Sequence, residues 1–88
     1  MKDFVDIHIN RESRFSLGIE TNSGIYYLSF PVANTMADYE EFYKIDKEFV
    51  DNYPESLDKI QEILVRCRER QYDDHLFYEP GRDRGYPI

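Results

Sequence analysis

A chain of 88 residues holds one domain with one modest core, since a protein this small buries only somewhat over ~60% of the surface its unfolded form exposes. A hydrophobic share of 41% and an aromatic share of 16% exclude a disordered chain, even with 33% of residues charged. The net charge of −7 argues against direct nucleic-acid binding, because phosphate backbones repel it, and a single Cys excludes an internal disulfide.

The N-terminal stretch "MKDFVDIHIN" carries charges at Asp3 and Asp6 and lacks the apolar core of a signal peptide. No run is long enough to span a bilayer, so a soluble, cytoplasmic protein is expected. "FVDIHIN" sets Val5, Ile7 and Ile9 against Phe4, Asp6 and His8, and this period of two predicts a strand. After the turn-compatible "NRES", the run "RFSLGIET" alternates again, with Phe15, Leu17 and Ile19 on one side. Gly18, in mid-strand, predicts a bulge or a close crossing by a helix. "TNSG" predicts a hairpin connection whose Gly24 supplies a positive φ. "IYYLSF" is a third strand, stopped by Pro31, and short connections make the three an antiparallel meander whose exposed edge is open to pairing.

Thr35 and Asp38 resemble a capping box, and "MADYEEFYKIDKEFV" then shows apolar spacings of three and four, predicting a helix over residues 36–50. Pro54 breaks it. "SLDKIQEILVRCRER" predicts a second helix, capped by Ser56 or Asn52, with Leu57, Ile60, Leu64 and Cys67 on one stripe and Arg66, Arg68 and Arg70 near its negative end. "HLFY" reads as a short fourth strand. The ending "EPGRDRGYPI" has a Pro-Gly turn and aromatic content, so residues 79–88 are expected to be an ordered, turn-rich loop with Tyr86 and Ile88 folded back. The sum is one α+β domain over residues 1–88. A small antiparallel sheet of three to four strands, in the order β-β-β-α-α-β, is covered on one face by two helices.

Charge is unevenly placed: residues 1–35 carry −1, residues 36–62 carry −6 and residues 63–88 carry 0. The acidic central segment fits either a basic partner or a solvated surface. Catalytic chemistry is not expected. Cys67 lies between two arginines, but on a helix those point about 100° away, and Cys67 shares the apolar stripe, so it reads as core rather than nucleophile. Asp73, Asp74 and His75 alternate faces in an extended segment and do not converge on a metal, and no phosphate loop or nucleophile elbow is present. Neither metal nor cofactor is expected. The segment around Asp38, Tyr39, Glu40, Glu41, Tyr43, Lys44 and Glu48 mixes acids with Tyr, a combination suited to meeting the Lys and Arg of a nuclease. Asp73, Asp74, Arg82, Asp83 and Arg84 would add specificity to that contact.

In "YYLSFPVAN", "DYEEFYKI" and "DDHLFYEPGRDRGYPI" the chain resembles the small bacterial immunity proteins encoded beside contact-dependent growth inhibition and related polymorphic toxins. The resemblance covers about residues 26–48 and 73–88 and implies no catalytic residues. It implies a stoichiometric inhibitor that binds a toxin's C-terminal domain, often a nuclease. A second reading is a non-catalytic accessory or regulatory binding protein, including a phage anti-defence inhibitor, and the neighbouring gene distinguishes the two.

Overall fold

Alternation in the first third of the chain produces three antiparallel strands in the computed structural model, which describes residues 3–33, 38–78 and 85–87. β1 (Phe4–Asn10), β2 (Phe15–Glu20) and β3 (Ile25–Ala33) form the expected meander. Its first turn is organised by Asn10, whose side-chain carbonyl accepts the Ser13 N–H at 2.8 Å. That turn closes through Arg14 in the left-handed region at φ +57°. In the second turn Gly24 supplies φ +73°. There the Glu20 carboxylate accepts the N–H groups of Asp3, Asn22 and Ser23 at 2.9–3.0 Å. The Ser23 hydroxyl, together with those amides, outweighs burial and holds the Glu20 carboxyl down to about 2. Gly18 is required by a close approach: a Cβ there would overlap the Val5 carbonyl oxygen and meet the Tyr27 ring. The bulge itself lies opposite, in β1 between Asp6 and His8, and the group crossing Gly18 is Tyr27, not a helix.

The main departure from expectation is at residues 38–51. Asp38–Ile45 is a fourth strand, β4, paired with β3 from Tyr26↔Ile45 to Ala33↔Asp38, and only Lys47–Asp51 is helical (α1). Tyr39 and Tyr43 point to one side of β4, while Phe42 points to the other and Glu41 takes an inward position. With rings on both sides, the contrast that marks a half-buried strand is erased and spacings of three and four appear instead. The long pairing with β3 and the aromatic preference for pleated surfaces decide the outcome. The Asp38 end of the expected capping box is therefore a strand terminus, and its Thr35 partner lies outside the described residues. Pro31 does not stop β3 either. It stands opposite Glu40, between the last β2 pair at Ser16↔Ser29 and the β5 pair at Val32↔Pro87, so it falls in a gap between two ladders on that side.

α2 (Leu57–Arg68) buries Ile60, Leu64 and Cys67, as its stripe predicts. Ser56 precedes it without capping it; the hydroxyl donates to the Phe49 carbonyl at 2.7 Å and so ties α2 to α1. The helix ends in a Schellman arrangement: Arg70 sits at φ +61°, its N–H reaches Cys67 O at 3.1 Å, and Gln71 N–H reaches Arg66 O at 2.8 Å. "HLFY" does not make a strand. After a 3₁₀ turn at Asp73–His75, Leu76 bridges to Tyr43 and the Phe77 N–H donates to Phe42 O at 3.0 Å, closing the free edge of β4.

A two-residue strand, β5 (Tyr86–Pro87), pairs with Val32 and Ala33 of β3. Because β4 occupies one side of β3 along this length, β5 lies on the side that β2 has left. Arg70 Nη2 donates to Gly85 O at 2.8 Å, its guanidinium lies 5.2 Å from the Tyr86 ring centre, and the Gly85 N–H donates to the Tyr39 hydroxyl at 2.8 Å. Tyr86 thus folds back, though mainly exposed; residues 79–84 and Ile88 of the expected loop lie outside the described residues.

The architecture is a small α+β fold, an antiparallel sheet with two helices on one face. The element order is β-β-β-β-α-α-β rather than the expected β-β-β-α-α-β. The covered face packs Phe15, Leu17, Leu28, Phe30, Val32 and Tyr43 against Val50, Ile60, Leu64 and Cys67. The opposite face has a second aromatic cluster: Phe4 stacks on Phe42 at 3.8 Å, and Tyr27 and Phe77 meet Phe4 edge-on.

Candidate functional site

Strand geometry redistributes the residues expected to form an acidic, aromatic contact face. Asp38, Glu40 and Lys44 are exposed on the open face of the sheet. Tyr39, Glu41 and Tyr43 point under the helices. Tyr43 is fully buried, and its hydroxyl donates to Glu41 Oε1 at 3.1 Å and to the Cys67 carbonyl at 3.4 Å. Glu41 and Tyr43 are thus buried within the fold and not presented on the surface as expected, because residues 38–45 form a strand and not a helix. Glu48 is exposed on α1, Asp73 is half-buried, and Asp74 is exposed beside His75. Arg82, Asp83 and Arg84 lie outside the described residues.

Among the described residues the surface carries three hollows of note. One is a groove of about 280 Å³ on the open face, floored by Ser16 and Ser29 and flanked by Ile9, Pro31, Arg11 and Glu40. The Ser29 hydroxyl donates to Glu40 Oε1 at 3.3 Å. A second, of about 600 Å³, lies between α1 and the start of α2, where Glu48, Glu55, Asp58 and Lys59 surround the half-buried ring of Phe49. The third, of about 430 Å³, separates the β1–β2 turn from α2 and is lined by Arg14 and Arg68. The acids of residues 36–62 are thus divided: Asp38 and Glu40 sit on the open face, and Glu48, Glu55 and Asp58 sit on the helical side.

The groups with intrinsic reactivity are placed for packing. Burial, reinforced by the charges of Asp73 and Glu41, pushes the Cys67 thiol up to about 12. His8 Nε2 lies 3.2 Å from Val50 O, and its ring leans on Tyr53. His75 stacks on Tyr72 at 3.9 Å and meets Asp74 at 3.1 Å. Among the described residues no three His, Cys, Asp or Glu side chains converge in a way that could hold a metal ion. No helix among them is long and apolar enough to cross a membrane.

Sequence reasoning missed the buried serines of the groove, which alternate unremarkably with Phe15, Leu17, Leu28 and Phe30. It also missed Arg14 and Arg68 as neighbours, since only the fold brings residues 54 positions apart to one hollow. No family model, curated protein or solved structure matches the chain.

Proposed function

We propose that the chain is an immunity protein that neutralises a cognate bacterial toxin domain, of the nuclease kind, by occupying the toxin's basic cleft. The observation that carries this reading is the hollow beside Phe49. Glu48, Glu55 and Asp58 surround an aromatic floor and outnumber Lys59, which lines the same hollow; among the described residues none of the three acids forms an ion pair, and the nearby ion pair is Lys47–Asp51. Such a surface offers a Lys or Arg stem a ring to lie on and carboxylates for its head. The excess of negative charge also steers a basic partner toward it. The buried, proton-retaining thiol supports a role exercised by contact rather than by bond-making. Action from the cytoplasm, where the toxin would arrive, completes the proposal.

The test is to co-express the toxin domain encoded beside this gene with the wild type and with Glu48→Lys/Glu55→Lys/Asp58→Lys. The reversal should weaken capture by about tenfold or more at low salt, and the difference should narrow as salt rises. Equal capture and equal protection at low salt would remove the acidic hollow from the interface. A neighbouring gene that encodes no toxin, with the protein captured on a regulatory or defence complex instead, would favour the accessory-protein reading.

A further inference from the structure

Among the described residues, Arg14 and Arg68 come together at one hollow, where two guanidinium groups outnumber the single carboxylate of Glu12. Arg68, in the last turn of α2, reaches back to the β1–β2 turn, where its Nη2 donates to Ser13 O at 2.8 Å and its guanidinium lies 5.8 Å from the Phe30 ring centre. Its Nε is shut off from solvent and has no acceptor among the described residues. Burial, and then the charge of Arg14, favour loss of the Arg68 proton, so the group is held where its charge is poorly compensated. Neither arginine takes part in the ion pairs found among the described residues, Lys47–Asp51 and His75–Asp74. Arg14 is itself held at φ +57°, a conformation that suits Gly or Asn better than an arginine. Both side chains line the hollow of about 430 Å³, together with Glu12, Ser13, Gln61 and the half-exposed Val65, and Glu12 forms no ion pair with either arginine among the described residues.

We propose that this hollow is a carboxylate site, in which an acidic side chain of a protein partner sits between Arg14 and Arg68. It rests on the reading of the chain as a partner-binding protein, and it makes the interface two-signed: an acidic hollow for the partner's cations and a basic one for an anion. A planar carboxylate matches a guanidinium fork. Leu64 and Val65 offer the methylene stem of an Asp or Glu an apolar wall. The hollow sits at the negative end of α2, which opposes a doubly charged phosphate more than a singly charged carboxylate.

The experiment is an amide ¹H–¹⁵N titration of the intact protein with acetyl-glutamate amide, inorganic phosphate and sodium chloride at matched ionic strength. The carboxylate should give saturable shifts at Ser13, Arg14 and Leu64–Arg68, with chloride giving none. Arg14→Gly should bind the carboxylate about fivefold or more weakly. It should also melt no lower than wild type, because glycine accepts the turn's backbone conformation freely. The proposal is overturned by the absence of saturable shifts, by the same shifts with chloride, by tighter binding of phosphate than of the carboxylate, or by unchanged affinity in Arg14→Gly. Because the titration needs no toxin, saturable binding alongside failed toxin capture would leave the site standing and remove the immunity reading alone.

Discussion

The two faces of this sheet use similar side chains and are closed in different ways. On one, two helices lay Val50, Ile60, Leu64 and Cys67 over Phe15, Leu17, Leu28, Phe30 and Tyr43. On the other no helix lies among the described residues, yet Tyr27 is fully buried: Phe4 and Phe42 pack edge-on against it, and Phe77 packs on Phe4. Each large ring removes roughly 150–250 Å² from water, so a handful of them covers a small sheet without a second layer. A chain of 88 residues can thereby bury both sides of one sheet and keep its remaining elements for surface.

The sharpest way to break the open face is Gly18→Ala. The added methyl meets the Val5 carbonyl, which is backbone and cannot swing aside, so a loss beyond about 4 kcal/mol in urea unfolding is expected. A loss below about 1 kcal/mol would mean that β1 does not cross Gly18 so closely. On the covered face Leu64→Ala should cost about 2–5 kcal/mol by the same measurement. If Leu64 proved neutral while Gly18 did not, the helical layer would be dispensable and the aromatic face would hold the fold.

Tyr27→Phe probes the open face more gently. It removes the hydroxyl that donates to Asp6 Oδ1 at 2.5 Å and should cost about 1–2 kcal/mol. Burial, then Asp6, raise the Tyr27 phenol above its ordinary value near 10, so this contribution is complete below pH 10 and declines as pH rises beyond it. The variant should therefore show a flatter alkaline stability profile than the wild type. The finest test is Glu20→Gln. Because the Glu20 carboxyl is lowered from 4.5 to about 2, its contribution is present above pH 4.5 and is lost as pH falls toward 2. The wild-type melting temperature should fall over that window and the variant's should fall less; parallel curves would show that the turn does not depend on the carboxylate.

The open face also explains what could be read in advance. β1, β2 and β3 alternate visibly, "NRES" and "TNSG" carry turn chemistry, and the Leu57–Ile60–Leu64–Cys67 stripe announces α2. The segment from Asp38 to Ile45 hid its identity because Phe42 serves one face and Tyr43 the other, a consequence of burying both sides. For the candidate sites, the acidic surplus of residues 36–62 was legible as a sum. Its division between two sides of the molecule was not, since that follows from the strand at Glu40 and the helix at Glu48. Arg68 was legible only as a favourable charge at a helix end; its reach to Ser13 depends on where α2 crosses the β1–β2 turn.

The enclosure of Cys67 has a practical side. As the sole sulfhydryl, 1% exposed and pinned between helix and sheet, it cannot be alkylated until that layer opens. Its labelling rate in native buffer is therefore a built-in clock for the opening of the helical layer, with no probe to engineer. Slower labelling in the presence of a tight-binding partner would report complex formation by the same readout.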